Sequence, residues 1–250
     1  MRLDQAIAAR YPDISRRKAR ELISAHRVLV NERPVSIASR VVNERDRVVI
    51  SEVLPDITTL AMTSEWIAVE KPAGVPVQPV RDRTIRSLEE MVRLRLKQDR
   101  VSPELYLVHR LDTGTSGVVV FARTKEFAAE LSAMFADREI RKTYLALVDG
   151  VITEPMHIDS PIEEKDAVSH VEPKSSDGKS TLVEVRTETG RTHQIRIHMA
   201  SVHHPVLGDA RYGSKKSAER LMLHAWKIEH PRFGTLEAPP PADLIRSTSR

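Results

Sequence analysis

The sequence predicts an α+β protein of two unequal domains, a small basic one followed by a larger one. Positive charge is concentrated at the start, since residues 1–50 carry 11 Lys and Arg against 6 Asp and Glu, and the remainder carries 28 against 29. Residues 51–62 contain a proline and show no apolar period, as linkers do. The body mixes helical and strand patterns without regular alternation, which favours a mixed, mainly antiparallel sheet over a doubly wound one. We therefore predict domains at 1–52 and 63–250, joined by a linker at 53–62.

Composition narrows the class of protein. With 250 residues, 40% of them hydrophobic, the chain can fill a sizeable core. No apolar run approaches the roughly 18 residues that a membrane-spanning helix needs, and the first residues contain no apolar signal-peptide stretch. The absence of cysteine excludes a disulfide framework, thiol catalysis and thiolate metal sites. We expect a monomeric cytoplasmic protein without membrane contact.

The basic domain shows two helical patterns. An apolar stripe in the first ten residues stops before Pro12, and Ser15 is a good N-cap for a second helix. Arg16, Arg17 and Arg20 fall on one face of that second helix, where they could meet phosphates. The alternative is a solvated basic face with no ligand.

Further elements follow from apolar spacing. Alternation and β-branched residues predict strands at 28–30 and 47–50 in the basic domain, and at 65–69, 105–109, 117–122, 142–148 and 181–187 in the body. Apolar stripes at helical spacing predict helices over 88–96 and 127–135.

The densest polar cluster of the body is HRLDTGTSG at residues 109–117, between two apolar segments. Asp112 stands there beside hydroxyl groups and glycines that let a ligand approach the backbone, which indicates a catalytic carboxylate. Alone, an aspartate in such a loop is as well explained by an Asx-turn. Ser116 follows no nucleophile-elbow pattern, so a serine hydrolase is disfavoured.

A second cluster, GRTHQIRIH at residues 190–198, follows a predicted strand. Thr192 could cap a helix there, with Arg191 at the entrance of the helix, able to pair with a carboxylate or a phosphate. The alternative is a surface salt bridge. Histidines 193, 198, 203 and 204 invite a metal hypothesis, but their irregular spacing and the lack of cysteine disfavour it.

These two motifs resemble those of the RluA family of RNA pseudouridine synthases over about residues 65–232. The resemblance extends to KPAGVPVQP (71–79), RKTYLALVDG (141–150), HPVLGDARYG (204–213) and LMLHAWKIEHP (221–231). Glu70 and Gln78 depart from the residues common in that family. The first domain resembles an S4 RNA-binding domain, although His26 and Glu32 stand where similar domains carry glycine.

The resemblance implies an isomerase that converts uridine to pseudouridine without cofactor or metal. Asp112 matches the catalytic aspartate, acting as a nucleophile or as a base, and Arg191 would pair with it and keep it ionised. Tyr144 would lie against the uracil, Leu223 would pack on its other side, and Arg110 would fill the gap left by the flipped nucleotide.

The resemblance also implies RNA as the partner, with large-subunit ribosomal RNA as the first choice and transfer RNA as the second. A non-catalytic RNA-binding or ribosome-assembly factor with the same fold is the alternative. The motif residues together argue against it, since a pure binder needs no carboxylate facing its RNA. A metal-dependent hydrolase is a third class, which elemental analysis would reveal.

Overall fold

The computed structural model describes residues 1–24, 27–31, 33–35, 37–50, 57–80, 86–213 and 218–246. His26, Glu32 and residues 53–56 of the predicted linker lie outside these ranges. Within them, every helix is too short or too polar to cross a bilayer.

The basic domain packs two helices on a small antiparallel sheet. Its elements are α1 (Leu3–Arg10), α2 (Arg16–Ser24), β1 (Val28–Val30), β2 (Arg33–Pro34) and β3 (Val48–Ile50), and the strand order is β2-β1-β3. The Oγ of Ser15 accepts a hydrogen bond from the backbone N–H of Lys18 at 3.2 Å, as predicted for the N-cap of α2. The apolar stripes of both helices meet in one core with β1 and β3.

The larger domain is built on one extended sheet. Its strands are β4 (Thr59–Met62), β5 (Trp66–Lys71), β6 (Tyr106–Leu107), β7 (Ser116–Ala122), β8 (Arg141–Asp149), β9 (Met156–Ile158), β10 (Ser169–Ser176), β11 (Ser180–Thr187), β12 (Leu223–His230) and β13 (Gly234–Glu237). The order is β4-β5-β7-β12-β8-β11-β10-β9, with β6 on β7 and β13 on β12. Of these pairs only β7 with β12 is parallel, so the predicted mixed, mainly antiparallel sheet is confirmed.

Four helices accompany the sheet in the described part of the body: α3 (Leu88–Gln98), α4 (Lys125–Ala136), α5 (Gln194–Ser201) and α6 (Ala242–Arg246). Helix α3 begins with a full capping box between Ser87 and Glu90. The apolar faces of α3, α4 and α5 each pack into a separate buried cluster. The helices predicted from apolar stripes over 88–96 and 127–135 are therefore confirmed.

Two boundaries differ from the sequence prediction. Residues 59–62, assigned to the linker, form β4. This strand pairs with β5, where Thr59 lies opposite Val69 and Met62 lies opposite Ile67. The strand predicted over 105–109 contracts to Tyr106–Leu107. The chain then enters the HRLDTGTSG loop. The polar side chains from His109 onward favour a loop over a continued strand.

The sheet brings several strand ends together. Strand β5 ends at Lys71 where β7 begins at Ser116, and β12 begins beside them at Leu223. Gly117 permits the close approach of β7 to β12: its φ is +120°, and a Cβ there would lie 2.1 Å from the carbonyl oxygen of Ala225. The two polar motifs meet at this end of the sheet.

Candidate active site

Asp112 lies in the loop between β6 and β7, and it is partly buried at the floor of an open cleft. Its own carbonyl accepts a hydrogen bond from the N–H of Thr115 at 3.0 Å, closing a turn. His109, at the base of the loop, accepts the N–H of Val120 at its Nε2 (2.9 Å) and stacks on Phe135. Burial lowers the pKa of His109 to about 4, so this ring is neutral and fixes the loop on β7.

The cation paired with Asp112 is Arg196, in the first turn of α5. Its Nη1 donates to Asp112 Oδ2 at 3.0 Å, while Nε and Nη2 form a fork with Asp209 at 2.7 and 3.0 Å. Burial opposes the charge of Arg196, but the two carboxylates outweigh it and raise its pKa. The side chain of Asp209 is 1% exposed. Its buried ion pair with Arg196 fixes the guanidinium in the orientation in which one N–H points at Asp112.

The expected Arg191–Asp112 pair is therefore wrong. Arg191 donates from Nε to the backbone carbonyl of Asp166 at 2.9 Å, and it lines the cleft opposite the loop of Asp112. The reason is helical geometry, since α5 places residue 196 on the face that looks toward the cleft. Arg191 precedes the helix and lies at the rim.

The start of α5 also differs from the prediction. The helix begins at Gln194, and the N-cap position is held by His193 in the left-handed region (φ 57°) rather than by Thr192. The side chain of Gln194 ties the helix to the preceding loop, because its Oε1 accepts hydrogen bonds from the N–H of Arg191 and from the hydroxyl of Thr189. His193 Nε2 lies 3.7 Å from Asp112 Oδ1, and burial lowers the pKa of this histidine.

Tyr144 and Leu223 line the same cleft as Asp112. Both project from central strands, Tyr144 from β8 and Leu223 from the first position of β12. Burial, together with the nearby charge of Asp112, raises the pKa of Tyr144 to about 12, so its hydroxyl stays protonated at neutral pH. The cleft thus offers one carboxylate, one aromatic ring and one aliphatic wall, which is a set suited to a planar base.

Arg110 lies two residues before Asp112 and is exposed. It lines the Asp112 cleft and two adjoining clefts, one beside residues 76–80 and one beside Lys142. Arg110 therefore stands where these clefts meet, as a side chain that replaces a flipped nucleotide would. Gln78 borders the cleft beside residues 76–80, so this departure from the family pattern lies next to the site.

Sequence reasoning missed Lys71 as a part of the site. It is fully buried, and its Nζ donates to the carbonyls of Pro72, Val75 and Thr113 at 2.9, 2.6 and 3.0 Å. Burial lowers the pKa of Lys71 to about 7, against the opposing effect of Asp112. The ammonium joins the 72–77 loop to the Asp112 loop. In the sequence, the one signal for this role was that the lysine begins a K-P-x-G segment directly after an apolar strand.

The arginines of the basic domain are arranged around a carboxylate. Asp4 is fully buried and accepts hydrogen bonds from Arg2, Arg16 and Arg20 at 3.2, 3.2 and 3.0 Å. Burial opposes the charge of Asp4, but the hydrogen bonds of Arg20 and Arg16 lower its pKa. Arg17 stands apart, 91% exposed and 3.7 Å from a glutamate on its own helix. The predicted cluster of three arginines is therefore correct for Arg16 and Arg20 and wrong for Arg17, and Arg2 takes the third place.

Among the four histidines of the metal hypothesis, the side chains of His193, His198 and His204 have other partners. His198 is buried between the hydroxyl of Ser169 and the carbonyl of Ser160, and His204 contacts the carbonyl of Asp149. His193 contacts the hydroxyl of Tyr212. In the described ranges, no group of three or more His, Cys, Asp or Glu side chains converges as metal ligands do. That the reaction needs no metal stays a prediction.

Comparison with known proteins recovers both units. Residues 65–201 match the family of RNA pseudouridylate synthases, and residues 1–48 match the S4 domain. The ribosomal large subunit pseudouridine synthase D of Nitrosomonas europaea is 31% identical over 284 residues, covering 98% of this chain and 82% of that protein. The dual-specificity RNA pseudouridine synthase RluA of Yersinia pestis is 38% identical over 191 residues, covering 68% and 90%.

Among solved structures, human RNA pseudouridylate synthase domain containing 4 matches with a TM-score of 0.65 at 24% identity, over 76% of this chain and 91% of that one. At this identity the likeness concerns the fold, and it agrees with the mixed sheet described above. The family match covers more than half of the chain and includes both polar motifs. The chain belongs to the RluA family of RNA pseudouridine synthases, isomerases that act on RNA, and carries an N-terminal S4 domain.

Proposed function

We propose that this chain converts uridine to pseudouridine in large-subunit ribosomal RNA, with Asp112 as the catalytic carboxylate. The observation that carries the proposal is the placement of Asp112 at the floor of a cleft, with its Oδ2 held by Arg196 at 3.0 Å. Among the described residues, Oδ1 receives no hydrogen bond, since His193 Nε2 at 3.7 Å is too distant. Oδ1 is therefore the oxygen free to react.

The isomerisation breaks the bond between ribose C1′ and uracil N1, turns the base, and joins C1′ to C5. C5 then loses its proton to water or to a carboxylate and N1 takes one up, so the product is an isomer of the substrate. An ionised Oδ1 serves either as the nucleophile at C1′ or as the base that starts an elimination on the ribose. Arg196 supports both routes, because it stabilises the carboxylate and fixes its direction without covering the reacting oxygen. Each route needs only this chain's own side chains.

The cleft walls supply the remaining parts of the proposal. Tyr144 stacks on the uracil with its hydroxyl protonated, Leu223 packs on the other face, and Arg110 enters the space left in the RNA by the flipped nucleotide. The proposal includes the predicted monomer as the oligomeric state.

The RNA class rests on the relatives and on the basic domain. Synthase D of Nitrosomonas europaea, named for the ribosomal large subunit, aligns with 98% of this chain. The S4 match adds a second RNA-binding unit, in which Arg2, Arg16 and Arg20 are held on Asp4. Large structured RNA suits two separate contact units better than a small stem would. Cytoplasmic location follows as part of this proposal.

The catalytic role is tested by Asp112→Asn in a tritium-release assay on RNA labelled at uracil C5. The amide keeps the shape of the side chain but can act neither as nucleophile nor as base, so we expect release to fall at least about 10³-fold with RNA affinity nearly kept. Asp137→Asn, which changes an exposed aspartate at the end of α4, is the matched control. Turnover of Asp112→Asn within tenfold of the control would remove Asp112 from catalysis.

The substrate is tested by mapping pseudouridines in cells that lack the protein. Loss at a defined uridine of large-subunit ribosomal RNA, restored by the wild-type gene and not by Asp112→Asn, is the expected result. Loss confined to transfer RNA would replace the ribosomal assignment and keep the activity. Restoration by Asp112→Asn would favour the non-catalytic assembly factor.

A further inference from the structure

A second cleft adjoins the Asp112 cleft and is lined by positive charge. Arg110 and Arg191 border both clefts, and Arg138 and Lys142 border the second alone. Tyr144 also faces both, so the two form one continuous surface from Asp112 to the end of α4.

None of these four cations has a carboxylate within 4.0 Å among the described residues. Arg191 donates to the carbonyl of Asp166, and Lys142 Nζ to that of Thr189 at 3.2 Å, both neutral acceptors. The one carboxylate on the cleft wall, Glu188, is bound to His170 Nε2 at 2.7 Å. Elsewhere on the body, arginines such as Arg196 and Arg220 hold carboxylates.

Lys142 shows the electrostatic consequence. It is half-buried on β8, and burial, together with repulsion from Arg138, lowers its pKa. An anion between these two side chains would replace lost hydration and offset their repulsion. Lys142 Nζ lies beside Gly190 of the second motif, since a Cβ added at that residue would be 3.9 Å from it.

We propose that Arg138, Lys142 and Arg191 form a subsite for the backbone phosphates of the nucleotides that adjoin the target uridine. This inference rests on the proposed function, because it places the flipped base beside Asp112 and lets the strand continue past Arg110. A phosphodiester strand carries several phosphates, so it can contact both the arginines that border the two clefts and the cations that border the second alone. Phosphate contacts position an RNA without reading its sequence.

The chain offers a matched control for Arg138. Arg138 and Arg100 are both exposed, both lie two residues past the end of a helix, and both have left-handed φ angles, 61° and 59°. Only Arg138 borders the cleft. Arg138→Gln and Arg100→Gln therefore make the same chemical change at equivalent backbone positions.

The test measures binding of the full chain to a large-subunit ribosomal RNA transcript over 0.1 to 1 M salt. Each cation that releases a counterion from single-stranded RNA contributes about 0.7 to the slope of log affinity against log salt. The double variant Arg138→Gln/Lys142→Gln should lower the slope by about 1.4. If affinities converge at 1 M salt, this weakens binding about 25-fold at 0.1 M.

Lys142→Arg keeps the charge and should retain most of the affinity, and Arg100→Gln should match the wild type. Arg138→Gln alone, at an exposed position, keeps the test decisive if the double variant folds poorly. Affinity and slope of Arg138→Gln equal to those of Arg100→Gln would overturn the subsite. Binding and turnover are measured separately. If the protein shows the predicted slopes but no isomerase activity, the proposed function is refuted and the subsite is not.

Discussion

Replacing Arg196 is the sharpest test of how the site is assembled. Arg196→Gln removes three charge-assisted hydrogen bonds of 2.7 to 3.0 Å and leaves Asp112 and Asp209 without their shared cation. Breaking a buried ion pair from one side costs about 3 to 5 kcal/mol. Since the side chain of Asp112 is 22% exposed and that of Asp209 only 1%, most of the cost falls on Asp209.

We expect the free energy of unfolding of Arg196→Gln to fall by about 3 kcal/mol, measured in urea. The rate at saturating RNA should fall about 10²- to 10³-fold, the usual loss when a preorganised donor is removed. Arg196→Lys should recover part of the stability and little of the rate, because one ammonium cannot hold the Asp209 fork and reach Asp112 together.

Arg191→Gln is the comparison that decides between the two arginines of the motif. Arg191 contacts a carbonyl at the cleft rim, so its loss should appear in KM more than in kcat and should leave the unfolding free energy within about 0.5 kcal/mol. If Arg191→Gln lowered kcat more than Arg196→Gln did, the assignment of Arg196 as the partner of Asp112 would be refuted.

Four further outcomes follow from the structure. Tyr144→Ala should weaken RNA binding by about 1 to 3 kcal/mol, the usual effect of losing a base-stacking ring, while Tyr144→Phe keeps the affinity in the same titration. Burial lowers the pKa of Lys71 to about 7 in the fold, so the unfolded chain binds more protons between pH 7 and 10. Urea unfolding should therefore show the wild type gaining stability relative to Lys71→Met as pH rises through that window. Deleting residues 1–55 should leave a body that isomerises uridine and lower the salt slope of RNA binding by about 1.4 to 2.1 through the loss of two or three arginines, and equal slopes would make the basic domain structural. EDTA should leave the rate unchanged, and inactivation together with stoichiometric bound metal would contradict this.

The sequence predicted the elements that have a strong apolar pattern. Helices α3 and α4 carry apolar residues at helical spacing, β7 and β8 contain continuous apolar runs, and β11 alternates in part. All of them were expected within a few residues. Strand β10 was missed because Ser169–Ser176 contains a proline and mostly polar residues, and it is held by backbone pairing with β9 and β11. Such tertiary pairing leaves little trace in local composition.

Tertiary structure also explains why the sequence prediction named Arg191, and not Arg196, as the partner of Asp112. Both arginines lie in one motif, and spacing alone cannot tell which faces Asp112, because the answer depends on where α5 begins. The helix was expected after Thr192, but His193 takes the N-cap position with a left-handed φ of 57°. Asp209, which anchors Arg196, lies 13 residues away in a loop with no period to mark it.

The order of strands in the sheet sets when the enzyme can become active during synthesis. Strand β12 lies between β7 and β8, which do not pair with each other, so the sheet is two separate halves until residues 223–230 exist. Asp112 belongs to the first half, and Tyr144 and Arg196 belong to the second. At translation rates of 5–20 residues per second, the roughly 80 residues between β8 and the end of β12 take on the order of 4 to 16 s. Through that interval the strand that joins the two halves is missing, so the sheet cannot yet hold Asp112 beside Tyr144 and Arg196, although the S4 domain, which has its own core, can already fold.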